Sequence, residues 1–153
     1  MEKIAGVLSS AALFAGLEPG QVDLIAGCGS NVGFEEGEYL FREGDHADTF
    51  FLLRRGAVAL ELFTPPRGSL TIETLEAGEV VGWSWLFPPY RWHFDARATS
   101  LVRATAFDGV CLRTKCDEDP ALGYALLSRF AGVMVERLQM TRLRLLDIYG
   151  RRG

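Results

Sequence analysis

The spacing of hydrophobic positions changes twice along the 153-residue chain. Up to about residue 30, Leu8, Leu13, Phe14, Leu17, Val22, Ile25 and Ala26 recur near helical spacing. Glu18-Pro19-Gly20 interrupts them, so the pattern predicts two short helices joined by a turn. From Val32 to about Arg113 the period shortens. The β-prone pieces are Glu38–Phe41, Thr49–Arg54, Ala57–Phe63, Ser69–Leu75, Ala96–Leu101, Arg103–Asp108 and Val110–Arg113. Between them stand the turn signals Glu43-Gly44-Asp45, Arg55-Gly56 and Glu76-Ala77-Gly78, with Pro65-Pro66-Arg67-Gly68 reading as a hairpin tip. Many short strands at this spacing predict an antiparallel barrel or jelly roll.

Pro120 then opens a long helix, with Asp117 to Asp119 offering cap acceptors and Gly150 as its stop. It would extend roughly 45 Å. Leu127, Ala131, Met134, Leu138, Thr141, Leu145 and Ile148 alternate in steps of four and three, an a/d heptad seam. Val133, Val135, Leu143 and Leu146 widen the apolar surface. The helix can lie along its own domain or pair with a second copy. The seam outlasts what a small barrel can cover, which favours a dimer helix. The whole reads as one mainly-β domain with flanking helices over 1–153: N-terminal helices at 1–31, a jelly roll at 32–116 and the long helix at 117–150.

Composition narrows the function classes. A formal charge of −4 argues against a general nucleic-acid binder. No uninterrupted apolar run reaches the roughly 18 residues a membrane span needs. Ile4 to Gly16 has the length of a leader core, but Glu2 beside Lys3 and the run into periodic helix read as folded sequence. Cysteines stand at 28, 111 and 116, an odd number with an isolated C-x4-C and only His46 and His93 to join them. That is a poor metal set and a poor disulfide framework, so reduced, buried or incidental thiols in a cytoplasmic protein are expected. Neither a multi-histidine metal site nor a nucleophile–base arrangement stands out, and no enzyme or cofactor is expected.

The densest chemistry lies in "GEVVGWSWLFPPYRWHF", Gly78 to Phe94, which holds every tryptophan of the chain with Arg91 and His93. Before it, "FREGDHADTFFLLRRGAVAL" places Gly44, Asp45 and Gly56 at strand turns, and "LEAGEVVG" ends at Gly82. With the order of helices, glycine-punctuated roll and long helix, these segments resemble the cyclic nucleotide-binding domain of the Crp/Fnr regulator family, from about Leu8 to Tyr149. The resemblance implies that 78–98 is the ligand cassette. A short helix follows the glycine and turns its free N–H groups toward an anion. A glutamate just after that glycine holds the ribose hydroxyl, and an arginine further on pairs with the cyclic phosphate.

Here the cassette reads Gly82-Trp83-Ser84-Trp85-Leu86-Phe87. Trp83 fills the glutamate slot. Aligned on "ARATS", Trp92 falls near the arginine slot, with Arg91 next door and the cassette one residue short. An indole donates but cannot accept, so the ribose clamp is lost. Three readings stay open. The aromatics fill the pocket and leave a ligand-free or protein-binding module. Alternatively Gly82, Trp83, Ser84, Trp85, Leu86, Arg91, Trp92 and His93 line a site for another small molecule, with indole faces on a planar ligand and Arg91 and His93 at an anionic group. In the third, a cyclic nucleotide binds through a non-standard clamp with Arg91.

Alternation along "WHFDARAT" sends Trp92, Phe94, Ala96 and Ala98 inward and His93, Asp95, Arg97 and Thr99 outward, where the polar set would form a surface network. Arg129, Arg137, Arg142, Arg144, Arg151 and Arg152 give the last helix a positive lean. A family activator continues into a helix-turn-helix domain; the sequence ends at Gly153, so direct DNA reading is not expected of these residues. The expectation is a homodimeric, non-catalytic sensor module answering to a small-molecule effector or a protein partner.

Overall fold

A computed structural model describes residues 4–150. The chain opens with helix α1 (Ile4–Ser10), a 3-10 turn at Ala12–Phe14 and helix α2 (Pro19–Ala26). Glu18 and Gln21 form a capping box at the start of α2, satisfying backbone donors that the first helical turn leaves free. Eight strands follow: β1 (Gly29–Phe34), β2 (Tyr39–Phe41), β3 (Thr49–Arg55), β4 (Val58–Thr64), β5 (Gly68–Leu75), β6 (Val80–Val81), β7 (Asp95–Ala98) and β8 (Val102–Asp108). They pair antiparallel in two four-stranded sheets, β1-β8-β3-β6 and β2-β7-β4-β5, giving the jelly-roll architecture the strand spacing predicts. The predicted hairpin tip joins β4 to β5, with Thr64 opposite Gly68. Helices α3 (Gly109–Glu118) and α4 (Pro120–Gly150) complete the chain.

Strand β3 explains how the apolar surface divides. Phe50 and Leu52 point into a core shared with Leu8, Phe14, Ile25, Phe107, Leu112, Leu122, Leu126 and Phe130. Phe51 and Leu53 point the other way, into the roll with Phe41, Val58, Leu60, Leu75, Val81, Ala96, Val102 and Ala104. Successive side chains of a strand face opposite sides, so a strand lying between two cores is apolar throughout. Leu122, Leu126 and Phe130 are fully buried at four-residue steps, and Val133 and Met134 still pack on the core. Beyond them α4 leaves the core: Leu138, Leu145 and Ile148 are each about half exposed. No described helix is long and apolar enough to cross a membrane.

Two expectations are corrected. Val110–Arg113 is the first half of α3, not a strand, and the roll ends at Asp108. The Asp108 carboxylate accepts the Cys111 amide at 3.1 Å and caps the helix, while Val110 is left largely exposed, Leu112 enters the core and Cys111 packs at its edge. A stretch of four residues carries no period long enough to separate helix from strand. The second concerns the cysteines: Cys28 and Cys111 form a disulfide with Cα atoms 5.9 Å apart, and only Cys116 is a free thiol. Their 83-residue separation hides the pairing from sequence spacing. Register makes it, because β1 and β8 place Gly29 opposite Phe107, the Asp108 amide donates to the Cys28 carbonyl, and the first turn of α3 then carries Cys111 back to Cys28. Burial, with Asp117 and Asp119 nearby, pushes the Cys116 thiol pKa up, so it stays protonated to higher pH than an exposed thiol.

Candidate functional site

The segment that the sequence singles out leaves β6 at Gly82, whose φ is +93°. That left-handed turn redirects the chain into a 3-10 turn, Ser84–Leu86, and then through Phe87 to Arg91 into β7. The short helix expected after the glycine is a single 3-10 turn of three residues, too short to align many N–H groups. The backbone of the return is held firmly: the Ala47 amide donates to the Tyr90 carbonyl at 2.7 Å, Trp92 N–H to Asp45 at 3.0 Å, and Gly44 N–H to Trp92 at 2.9 Å. From α3, the Arg113 guanidinium donates to the Trp85 carbonyl, pairs with Asp48 at 3.4 Å and lies over the Tyr90 ring at 4.1 Å.

The three tryptophans do not face one another. Trp85 is fully buried in the helical core, stacked on Phe50 at 5.1 Å and edge-on to Phe130, with its indole N–H left without an acceptor. Trp92 is buried in the other core, inside the roll, stacked on Phe41 at 3.6 Å with the rings nearly parallel. A Cβ on Gly82 would stand 2.4 Å from the Trp92 ring, so the indole occupies the space beside the cassette glycine. Trp83 is half-buried, packed against the edge of the helical core under the guanidinium of Arg137 at 5.1 Å. Ser84 is buried and Leu86 half-buried against the helical core.

The charged residues follow the alternation scheme only in part. Arg91 is exposed and donates to the Gly44 carbonyl at 3.3 Å, away from the roll interior. His93 is exposed. Asp95, expected outside, is buried: its carboxylate accepts the Glu43 amide at 2.7 Å and pairs with Arg42 at 3.4 Å. Arg97 binds buried Glu61 through both arms, at 3.1 and 3.0 Å, which raises the arginine's pKa. His93, Asp95 and Arg97 therefore do not form the expected network. The inward set Trp92, Ala96 and Ala98 is buried and His93 is exposed, as alternation predicts; Asp95 departs because the Glu43 amide and Arg42 cover its carboxylate.

Sequence reasoning missed the contribution of α4. Arg137 donates to the Val80 carbonyl, approaches Glu73 at 3.9 Å and covers Trp83. Burial lowers its pKa, with Glu73 opposing the shift. Arg144 donates to Ile72 at 2.8 Å and Arg129 to Ala15 at 2.7 Å, so these arginines of the positive lean tie α4 to backbone carbonyls. The signal was their spacing of eight and seven, which puts all three on one helix face. Between this face and β5–β6 runs a groove of 720 Å³, lined by Glu73, Thr74 and Gly78–Val80 on the roll, by Arg129, Val133, Glu136, Arg137, Met140 and Arg144 on the helix, and by Leu13. The seam residues Leu127, Ala131, Leu138, Thr141 and Leu145 are exposed, while Met134 is partly buried. Among the described residues no three His, Cys, Asp or Glu side chains converge as a metal site.

Comparison with known proteins now gives this geometry its context. The model of the cyclic nucleotide-binding domain matches residues 31–119. The chain belongs to the cyclic nucleotide-binding domain family. A solved structure from Geobacter metallireducens GS-15, bearing the name of a cyclic nucleotide-binding protein, is 30% identical, with a TM-score of 0.80 and coverage of 90% of this chain and 99% of that one. The N-terminal domain of a transcriptional regulator from Streptomyces coelicolor A3(2) is 28% identical, with a TM-score of 0.68 over 92% and 95% of the two chains. A CRP-like cAMP-activated global transcriptional regulator of Mycobacterium tuberculosis is 25% identical over 142 residues, 93% of this chain. The chain spans 62% of that curated relative's length. The cyclic nucleotide-binding domain seen here is thus a distant relative of CRP-like regulators, a sensor-type domain of a regulatory and typically non-catalytic family.

Proposed function

We propose that this cyclic nucleotide-binding domain is a non-catalytic sensor module that has filled its own cassette, and that its effector is a small molecule other than cAMP, held between the roll and α4. One observation supports the reading: the Trp92 indole lies against Gly82 and stacks on Phe41, so a side chain rather than open space borders the cassette glycine. Trp83 supplies no acceptor for a ribose hydroxyl, and Arg91 points at the Gly44 turn rather than inward. The 720 Å³ groove falls within the roughly 300–1,000 Å³ usual for small-molecule sites. Its walls belong to both the roll and α4. An occupant touching both would favour one helix position over another, and that difference in affinity is what a sensor needs to pass on a signal.

The exposed seam of α4 supports a second copy of the chain as the receiver, with Leu127, Ala131, Leu138, Thr141 and Leu145 facing its counterpart. Titration of cAMP and cGMP, followed by tryptophan emission and thermal shift, tests the reading. No saturable change at millimolar nucleotide is the expected result. A micromolar transition that is lost on Arg91→Ala would replace it with cyclic nucleotide binding through a non-standard clamp.

A further inference from the structure

A second depression, of 390 Å³, lies on the β1-β8-β3 sheet and shares no lining residue with the groove. Its lining includes Asn31, Gly33, Arg54, Arg55 and Arg103. The register sets Arg103 opposite Gly33 on one side and opposite Arg55 on the other. Gly33 has no side chain to compete, and Nη1 of Arg103 lies 2.6 Å from where a Cβ would stand. An irregularity between Leu53 and Arg55 brings the neighbouring Arg54 to the same lining. Arg55 and Arg103 are exposed, and no ion pair among the described residues includes either of them.

Like charges directly opposite one another on paired strands destabilise a sheet. Such a juxtaposition is unexpected in a chain of net charge −4, where carboxylates outnumber basic residues. A local rule broken with no compensating partner points to a functional surface. We propose that this depression binds the phosphate group of a small anionic ligand. A phosphate monoester carries close to two negative charges at neutral pH with three acceptor oxygens. That matches two guanidinium forks on adjacent strands, whereas one carboxylate neutralises one of them. Asn31 adds an amide at the rim.

The test is calorimetric titration of inorganic pyrophosphate into the full chain at low ionic strength. Saturable binding is expected, weakened about tenfold or more by Arg55→Ala or Arg103→Ala, the loss for a charge-assisted hydrogen bond. Arg103→Lys keeps the charge but not the fork and should fall between. Arg67→Ala, at the β4–β5 hairpin tip, controls for general charge attraction and should bind as wild type. Because Arg55 and Arg103 repel each other, either alanine variant should melt no lower than wild type. Absent binding, unchanged Arg55→Ala and Arg103→Ala, or an equal loss in Arg67→Ala would overturn the proposal. So would a lower melting temperature in both alanine variants, which would make the arginines structural. An oligoglutamate peptide that binds more tightly than pyrophosphate through the same two arginines would assign the surface to an acidic protein partner instead.

Discussion

A methyl group on Gly82 would meet the Trp92 ring at 2.4 Å, and the φ of +93° at that position already disfavours any side chain. Gly82→Ala should therefore cost more than the ~1–3 kcal/mol of left-handed strain alone. Trp92→Ala should cost ~3–5 kcal/mol, as large buried aromatics do. The two are coupled: removing the indole removes the clash, so the double variant should lose clearly less than the sum, measured by chemical denaturation as a double-mutant cycle. Strict additivity would mean that the indole does not press on Gly82. The sequence placed Trp92 in the arginine slot and so located the substitution, but not its consequence. Its stacking partner Phe41 lies on β2, and the hydrogen bonds of Trp92 with Gly44 and Asp45 bring the two together across a long stretch of sequence.

At the scale of elements, α4 behaves as two helices in one. Its first half is fixed by Leu122, Leu126 and Phe130; its second half is held to the roll by arginines at one face and bare on the others. Arg137→Met should destabilise by ~1.5–3 kcal/mol, since it removes a charge-assisted hydrogen bond from a side chain only 11% exposed. It should also shift Trp83 emission, whereas Arg144→Ala should leave emission unchanged. If α4 pairs through its seam, light scattering of the wild type should give twice the 16.9 kDa chain mass, and Leu138→Glu with Leu145→Glu should halve it. A wild type that stays at the single-chain mass would leave the seam without a partner copy. The heptad spacing was legible because it is local. The arginine contacts were not, because each ends on a carbonyl far away in sequence, such as Val80 or Ile72. Val110–Arg113 misled for the opposite reason: its local pattern is strand-like, and the Asp108 cap decides for helix.

Over the whole molecule, the two-sheet roll was readable from glycine-punctuated strands, because each turn is marked in place by residues such as Gly44, Gly56 and Gly78. The Cys28–Cys111 bridge was not, since it depends on the β1–β8 register. That bridge joins the N-terminal helices to α3, which in turn holds the cassette turn through Arg113. Reduction, or Cys111→Ser, should lower stability by ~2–4 kcal/mol, read as a fall in melting temperature with reductant. Superimposable melts would mean the bridge constrains nothing the fold does not already fix.

The central claim is that the chain's own Trp92 indole fills the family's ligand cassette. Calorimetric titration of cAMP into the wild-type chain tests it most directly, because heat reports binding wherever the tryptophans lie. The account predicts no saturable heat up to millimolar nucleotide. A one-site isotherm with a micromolar Kd would contradict it and show that Trp92 yields its place to the ligand.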